Sequence, residues 1–485
     1  MNGPLKRASI ACLLMFGLLM VNINYLQAVR ADQLREDPRN NRNFYARYEV
    51  ERGRITAGNE VLAESVEKPD SDFRFQRKYP HGPLYAHITG FFSPESESAI
   101  ERSRDSLLDG SDPSLLVRRS IDLFTNKATK GANVDLTIVP KAQEAGYEAL
   151  RRSGKRGAVV AIAPKTGAIL TMVSVPTYDP NELSGTNKGD VFGRYAELDK
   201  NKNKPLINRV IDRTYPPGST FKALTMAAYL EEDSSRGPST MVEAPQLLDL
   251  PNTSADLPNY GGSACGAGRV TLQFALERSC NTPFGAMGME LGYDKMLEHA
   301  KKFGIGGEPL EIPMGVAGSG IGPKEDAAAL AQASIGQRSN QMTPLQMAMI
   351  AAGIANDGKV MKPYLINKIA DAEGGEVETA KPEELTTAIS PETADKLQQM
   401  MVSVVNNGTA TAARIPGVEV GGKTGTAETA EGQAPHAWFI SFADVQDPEV
   451  AVAVLVESGS AGTDASGGHT AAPIAKAVME AVLDR

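Results

Sequence analysis

Three short motifs carry the side chains that could do chemistry. The first is Tyr215-Pro216-Pro217-Gly218-Ser219-Thr220-Phe221-Lys222, followed by the apolar-rich run Ala223 to Leu230. A serine opening a helix with a lysine three places on puts both side chains on one face, about one turn apart. Prolines before the serine suit a turn into a helix, because proline pre-sets φ and lacks an N–H that would go unused there. Backbone N–H groups at such a terminus can hold a developing negative charge. In isolation, though, this spacing more often means an N-capping serine beside a surface lysine.

The second motif is Ser279-Cys280-Asn281, at the end of an apparent helix over Leu272 to Arg278. A hydroxyl can relay a proton, and an asparagine amide can donate to a peptide carbonyl. Helix ends favour Ser and Asn for their own reasons, so the triplet alone says little. The third is Gly421-Gly422-Lys423-Thr424-Gly425-Thr426. Its glycines permit close backbone approach to a ligand. Its lysine adds a cation, and its two threonines add hydroxyls suited to a carboxylate.

A phosphate-binding loop competes for the last motif, since Gly417 to Thr424 fits G-x-x-x-x-G-K-[ST]. That mechanism needs a strand before the first glycine and a helix from the lysine onward. Pro416 blocks the strand, Val418-Glu419-Val420 is itself strand-like, and no apolar helical period follows Thr424. An exported domain would also meet little ATP.

The elements that must hold these motifs are legible on either side of them. Val134 to Ile138 reads as a strand, and Pro140 to Arg152 as a helix with proline in its first turn. Gly157 to Ala163 and Ala168 to Val175 flank the turn Pro164-Lys165-Thr166-Gly167 and predict a hairpin. A second strand pair is predicted at Ala437 to Phe442 and Val450 to Val456, then an amphipathic helix from Ala471 to Leu483. Between them lie mostly helical segments, including one from Thr343-Pro344 to Ala355 with a threonine cap. Strands at both ends with helices between predict one antiparallel sheet completed by both ends and flanked by helices, an α/β or α+β domain with an all-helical part. We place it at 154–485.

The N-terminal region reads differently. Lys6 and Arg7 precede an apolar run from Ala8 to Ala28, which matches the ~20 residues needed to cross a bilayer as a helix. Positive charge before the run favours a cytoplasmic tail at 1–7, an anchor at 8–28 and an exported remainder. A cleaved signal peptide would need Val29-Arg30-Ala31 as its cleavage site, which Arg30 makes poor. Ser9-Ile10-Ala11-Cys12 loosely resembles a lipidation signal, but almost no apolar run precedes Cys12. Residues 29–153 form a smaller module without recognisable chemistry. It has a polar stalk from Ala31 to Arg47, short extended segments around Glu51 to Ile55 and Val61 to Ala63, and helical patches around Leu107 and Leu115.

Bulk properties narrow the function. A net charge of −9 with no basic stripe argues against nucleic acid. The five histidines show no clustered ligand spacing, so no metal site is expected. Of three cysteines, Cys265 and Cys280 fall in the exported part, where a disulfide is allowed. Both a bond clipping the Ser263–Gly266 loop to the motif and two unpaired buried thiols remain open.

In order, the three motifs are the set S-x-x-K, S-x-N, K-T-G of penicillin-binding proteins and class A β-lactamases. The chain therefore resembles the penicillin-recognising serine acyltransferases. The likeness extends to Gly157 to Asn181, Gln341 to Ala348 and Ala355-Asn356-Asp357-Gly358. Arg52-Gly53-Arg54-Ile55 with Leu62-Ala63 resembles the pedestal, a dimerisation-like domain, of class B high-molecular-mass penicillin-binding proteins. The resemblance covers residues 31 to 485, especially to actinobacterial members, and implies a monofunctional peptidoglycan D,D-transpeptidase without a cofactor. It implies Ser219 as nucleophile, Lys222 as base with its pKa lowered by Lys423, Ser279 as proton relay and Asn281 as donor-peptide ligand. Thr424, Gly425 and Thr426 would hold the terminal carboxylate, and the N–H groups of Ser219 and Thr426 would form an oxyanion hole. Implied partners are stem peptides (a D-Ala-D-Ala donor and an amine acceptor), β-lactams, the bacterial cell membrane and the division or elongation machinery. Cys280 stands where β-lactamases usually carry aspartate, and no counterpart of their deacylating glutamate is evident. Both lean away from the rival readings of D,D-carboxypeptidase or β-lactamase. A β-lactam-sensing receptor domain is the third reading, weakened by the lack of an added signalling domain.

Overall fold

The computed structural model describes residues 2–30, 47–69, 73–93, 96–115, 130–428, 434–458 and 467–484. The stalk expected from Ala31 onward and the helical patch beyond Leu115 lie outside the described residues. The N-terminal helix runs from Asn2 to Ala28, starting earlier than the apolar run because Lys6 and Arg7 are good helix formers. At 1.5 Å per residue its 27 residues exceed the ~30 Å of a hydrocarbon core. Among the described residues it is the one helix long and apolar enough to cross a membrane. Leu13, Phe16 and Leu18 stand exposed along it, as lipid would favour and water would not.

The N-terminal module is built on a six-stranded sheet. Its order is Glu376–Thr379, Ile366–Ala370, Asn133–Leu136, Ile55–Ala57, Glu60–Glu67, Phe75–Lys78. The expected turn at Ala57-Gly58-Asn59 joins the antiparallel pair Ile55–Ala57 and Glu60–Glu67. Two of the six strands come from the catalytic half: Ile366–Ala370 pairs antiparallel with Asn133–Leu136 and carries Glu376–Thr379 at the edge. The two halves are therefore stitched through one sheet. The division at 153/154 also does not coincide with packing, because the helix Pro140–Arg152 lies against the catalytic sheet and the C-terminal helix.

The Arg52-Gly53-Arg54 segment earns its composition in this module. A Cβ at Gly53 would sit 1.8 Å from the Ala132 carbonyl oxygen, so only glycine fits. Arg52 Nε and Arg77 Nε donate to the two oxygens of fully buried Glu101 at 2.7 and 2.6 Å, and Arg77 Nη1 donates to the Gly53 carbonyl at 2.7 Å. Burial pushes the Glu101 carboxyl up, but the two guanidiniums outweigh it and hold it below its usual range. Removing one partner of such a buried network leaves uncompensated charge, which typically costs about 3–5 kcal/mol. Glu101→Ala should therefore lower the unfolding free energy of this module by about 3 kcal/mol in a denaturant titration. A loss below about 1 kcal/mol would contradict this account.

The catalytic half contains a five-stranded antiparallel sheet, ordered Val420–Ala427, His436–Ala443, Val450–Val456, Gly157–Ile162, Ile169–Val175. The two predicted hairpins meet through Val450–Val456 and Gly157–Ile162, with Ala453 opposite Val160. Both of these strands are buried along their whole length, as their unbroken apolar runs require. Helices Pro140–Arg152 and Ala472–Val482 pack together on the sheet, and Pro344–Ala355 packs on it as well, with all its residues buried. Thr343 caps that last helix, its hydroxyl accepting from the Gln346 N–H at 3.1 Å. The helical part adds Lys222–Glu231, Thr282–Leu291 and Pro391–Asn407, among others. Val420–Ala427 is an edge strand, and the functional cleft opens beside it.

Candidate active site

Ser219 and Lys222 arrive at the cleft on a tightened turn. Gly218–Phe221 is a 3₁₀ turn and the α-helix begins at Lys222, so the serine precedes the helix instead of opening it. Residues i and i+3 eclipse in 3₁₀ geometry, which keeps both side chains on one face. The turn is clamped from several directions. Trp438 Nε1 donates to the Pro216 carbonyl at 2.9 Å, and Gly218 N donates to the Gly336 carbonyl at 2.9 Å. The Tyr215 hydroxyl donates to Glu457 Oε1 at 2.7 Å, and Arg209 Nε donates to the same oxygen at 2.8 Å. Gly218 has φ +54°, and a Cβ there would come within 2.6 Å of the Thr426 carbonyl oxygen.

Two fully buried lysines converge on the second motif. Lys222 Nζ donates to the Ser279 carbonyl at 2.6 Å, to Asn281 Oδ1 at 2.8 Å and to Ser279 Oγ at 3.3 Å. Lys423 Nζ donates to Ser279 Oγ at 2.8 Å and to the Thr424 carbonyl at 2.9 Å. Burial pushes the Lys222 amine well below its ordinary range, and the charge of Lys423 pushes it further. Burial lowers Lys423 to about 7. Such an amine can sit neutral near physiological pH and accept a proton from a neighbouring hydroxyl.

The S-x-N segment links helices Leu272–Glu277 and Thr282–Leu291, and Ser279 adopts a left-handed φ of +58°. For a residue with a Cβ this is costly, so surrounding contacts must hold it. Cys280 is bonded to Cys265, with their Cα atoms 5.9 Å apart. Buried Asn259 was not singled out in the sequence, yet its Oδ1 accepts from the N–H groups of Asn281 and Thr282 at 2.8 and 3.2 Å. It thus caps the helix after the motif from another segment. Nothing in the sequence near Asn259 marks that role, which exists only through a contact across the fold. Asn281 Nδ2 donates to the Pro258 carbonyl at 2.9 Å, tying the same loop to the motif again.

The third motif lies inside the edge strand Val420–Ala427, with Lys423 opposite Ile440 and Gly425 opposite Trp438. The strand continues through Thr424, so the helix that a phosphate-binding loop requires is not formed. Strand alternation puts Lys423 and Gly425 on one face and Thr424 and Thr426 on the other. A Cβ at Gly425 would come within 2.9 Å of Thr220 Cγ2, so glycine lets the strand lie against the nucleophile segment. Ser219, Ser279, Asn281, Thr424, Gly425 and Thr426 all line a cleft of about 720 Å³. All the residues selected from the motifs are thus gathered at one place, six around the cleft and the two lysines below it.

This sheet, its helical companion and the cleft between them define a class, the penicillin-recognising serine acyltransferases. Residues 157–480 match the penicillin binding protein transpeptidase domain, and residues 52–134 match the penicillin binding protein A dimerisation domain. The chain belongs to the penicillin-binding transpeptidases of class B. It is 44% identical to peptidoglycan D,D-transpeptidase PbpA of Mycolicibacterium smegmatis, over 100% of this chain and 99% of that protein. It is 43% identical to the protein of the same name from Mycobacterium tuberculosis, with the same coverage. Among solved structures it is similar to penicillin-binding protein A of M. tuberculosis in its ceftriaxone acyl-enzyme complex. That match has a TM-score of 0.87 and 43% identity, over 90% of this chain and 99% of that one. The penicillin G acyl-enzyme complex of the same protein matches with a TM-score of 0.85 and 43% identity, over 90% of this chain and 100% of that one.

Proposed function

We propose that the protein is a peptidoglycan D,D-transpeptidase that cross-links stem peptides through a Ser219 acyl-enzyme and is acylated by β-lactams at the same serine. Its apolar N-terminal helix would anchor it in the bacterial cell membrane, with the catalytic half on the extracytoplasmic side beside the machinery of division or elongation. The observation that carries the reading is the convergence of Lys222 and Lys423 on the Ser279 hydroxyl, which lines the same cleft as Ser219.

In this reading neutral Lys222 takes the Ser219 proton as Ser219 Oγ attacks the carbonyl between the two terminal D-alanines. The N–H groups of Ser219 and Thr426 hold the oxyanion, a service typically worth about 3–4 kcal/mol. The carbon–nitrogen bond breaks, and the proton passes through Ser279 to the departing D-alanine amine. An amine from a neighbouring stem then attacks the ester, and Ser219 regains its proton. The donor lies along the free edge of Val420–Ala427, where an added strand can pair with exposed backbone groups. Its terminal carboxylate sits at the corner of the cleft formed by Thr424 and Thr426, and Asn281 orients its peptide. In a β-lactam the broken amide stays tethered to the acyl group, so the departing amine cannot diffuse away.

Transfer is separated from hydrolysis by supplying a D-Ala-D-Ala donor with and without an amine acceptor. The transpeptidase reading expects a new amide product that grows with acceptor concentration at the expense of the free acid. Hydrolysis unaffected by acceptor would assign a carboxypeptidase instead.

A further inference from the structure

The wall of the cleft beside the K-T-G strand holds a hydroxyl that the three motifs do not include. Helix Pro391–Asn407 ends at Gly408, whose N–H donates to the Val404 carbonyl at 3.1 Å. The Ala410 N–H donates to the same carbonyl at 3.2 Å, so Thr409 projects from a tightly wound corner. Its backbone is pressed from outside by Gly468, where a Cβ would sit 2.2 Å from the Thr409 carbonyl oxygen. The Thr409 hydroxyl lies 2.7 Å from the Thr424 hydroxyl. Thr409 and Thr424 both line the cleft, but Thr424 is only 7% exposed whereas Thr409 is open to solvent.

We infer that Thr409 is a further substrate-binding residue, its hydroxyl contacting the terminal carboxylate of the donor with Thr424 hydrogen-bonded behind it. This inference rests on the transpeptidase reading above. Each hydroxyl has one proton, and a carboxylate is a pure acceptor. When Thr424 donates to Thr409, its proton is used within the pair and Thr409 is left with its own proton free for the ligand. A chain of this kind polarises the terminal O–H and strengthens what it donates. Nearby Lys423 donates to Ser279 and to the Thr424 carbonyl, and Thr409, Thr424 and Thr426 line the cleft at this corner.

The test uses two D-alanyl thioester donors, one ending in a carboxylate and the other in a carboxamide, with the detergent-solubilised full chain. Acylation is read as thiol release and as mass added to the protein. A hydrogen bond to a charged group contributes about 1.5–3 kcal/mol, equivalent to roughly 10- to 100-fold in rate or affinity. Thr409→Val should slow acylation by the carboxylate donor by about tenfold or more and leave the carboxamide donor within about twofold of wild type. Thr409→Ser should restore the carboxylate donor. Equal slowing on both donors would mean a structural role and overturn the inference, as would an unchanged carboxylate donor. Wild-type protein that neither donor acylates would overturn the transpeptidase reading itself.

Discussion

Penicillin G should add its intact mass to the detergent-solubilised protein at Ser219, and Ser219→Ala should abolish the adduct. The covalent step needs a nucleophile whose proton has somewhere to go, and buried Lys222, three residues on and on the same face of the turn, is the base the mechanism assigns to it. Removing the nucleophile of such a unit typically costs at least about 10⁴-fold, since the remaining groups act only through it. The fold should tolerate the change, because the turn is held by Trp438 on Pro216, Glu457 on Tyr215 and Gly336 on Gly218, none of which uses the serine side chain. An unchanged thermal melt with a lost adduct is therefore the expected pair of results. A full-yield adduct in Ser219→Ala would place the nucleophile elsewhere and remove the mechanism's first step.

What could be read from the sequence follows the range of the forces involved. The hairpin at Gly157 to Val175 was legible because its two apolar runs and its Pro/Gly turn are local signals. The helix from Pro344 was legible for the same reason, its cap and first-turn proline being adjacent in the chain. The strand across Lys423 was legible against the phosphate-loop alternative through Val418 to Val420 and the lack of a helical period afterwards. The strands Ile366–Ala370 and Glu376–Thr379 were not. They are short and partly exposed, so no alternation betrays them, and Asn133–Leu136, the partner of Ile366–Ala370, is more than 200 residues away. The 3₁₀ start at Ser219 escaped because apolar spacing does not distinguish it from the first turn of an α-helix. Asn259 escaped because its donors, Asn281 and Thr282, are neighbours only in space. At the site the residue types could be chosen from the chain, whereas the frame that holds Ser279 in a left-handed conformation could not.

That frame sets up the second large effect, which concerns proton transfer. Lys222→Met keeps the side-chain volume and removes the base, so acylation should fall by about 10³-fold, within the usual 10²–10⁴ range for a positioned general base. In the wild type only neutral Lys222 is active, so acylation should rise with pH as Lys222 loses its proton, with the rise lying well below the ordinary lysine range. Burial is the larger cause of that displacement and the charge of Lys423 the smaller. Lys423→Met leaves the burial in place and removes the charge. A like charge nearby disfavours protonation, so its removal raises the Lys222 pKa and moves the rising limb to higher pH, though not back to that of a free lysine. The rate gap between the two proteins should then be widest on the acid side, where more of the variant's Lys222 is protonated, and should narrow as both become neutral. Loss of the Lys423 hydrogen bond to Ser279 acts differently, lowering the rate by one factor at every pH. Measuring penicillin acylation from about pH 5 to 10 separates the two. A uniform drop with the limb unmoved would mean that Lys423 serves Ser279 alone and that burial by itself keeps Lys222 neutral.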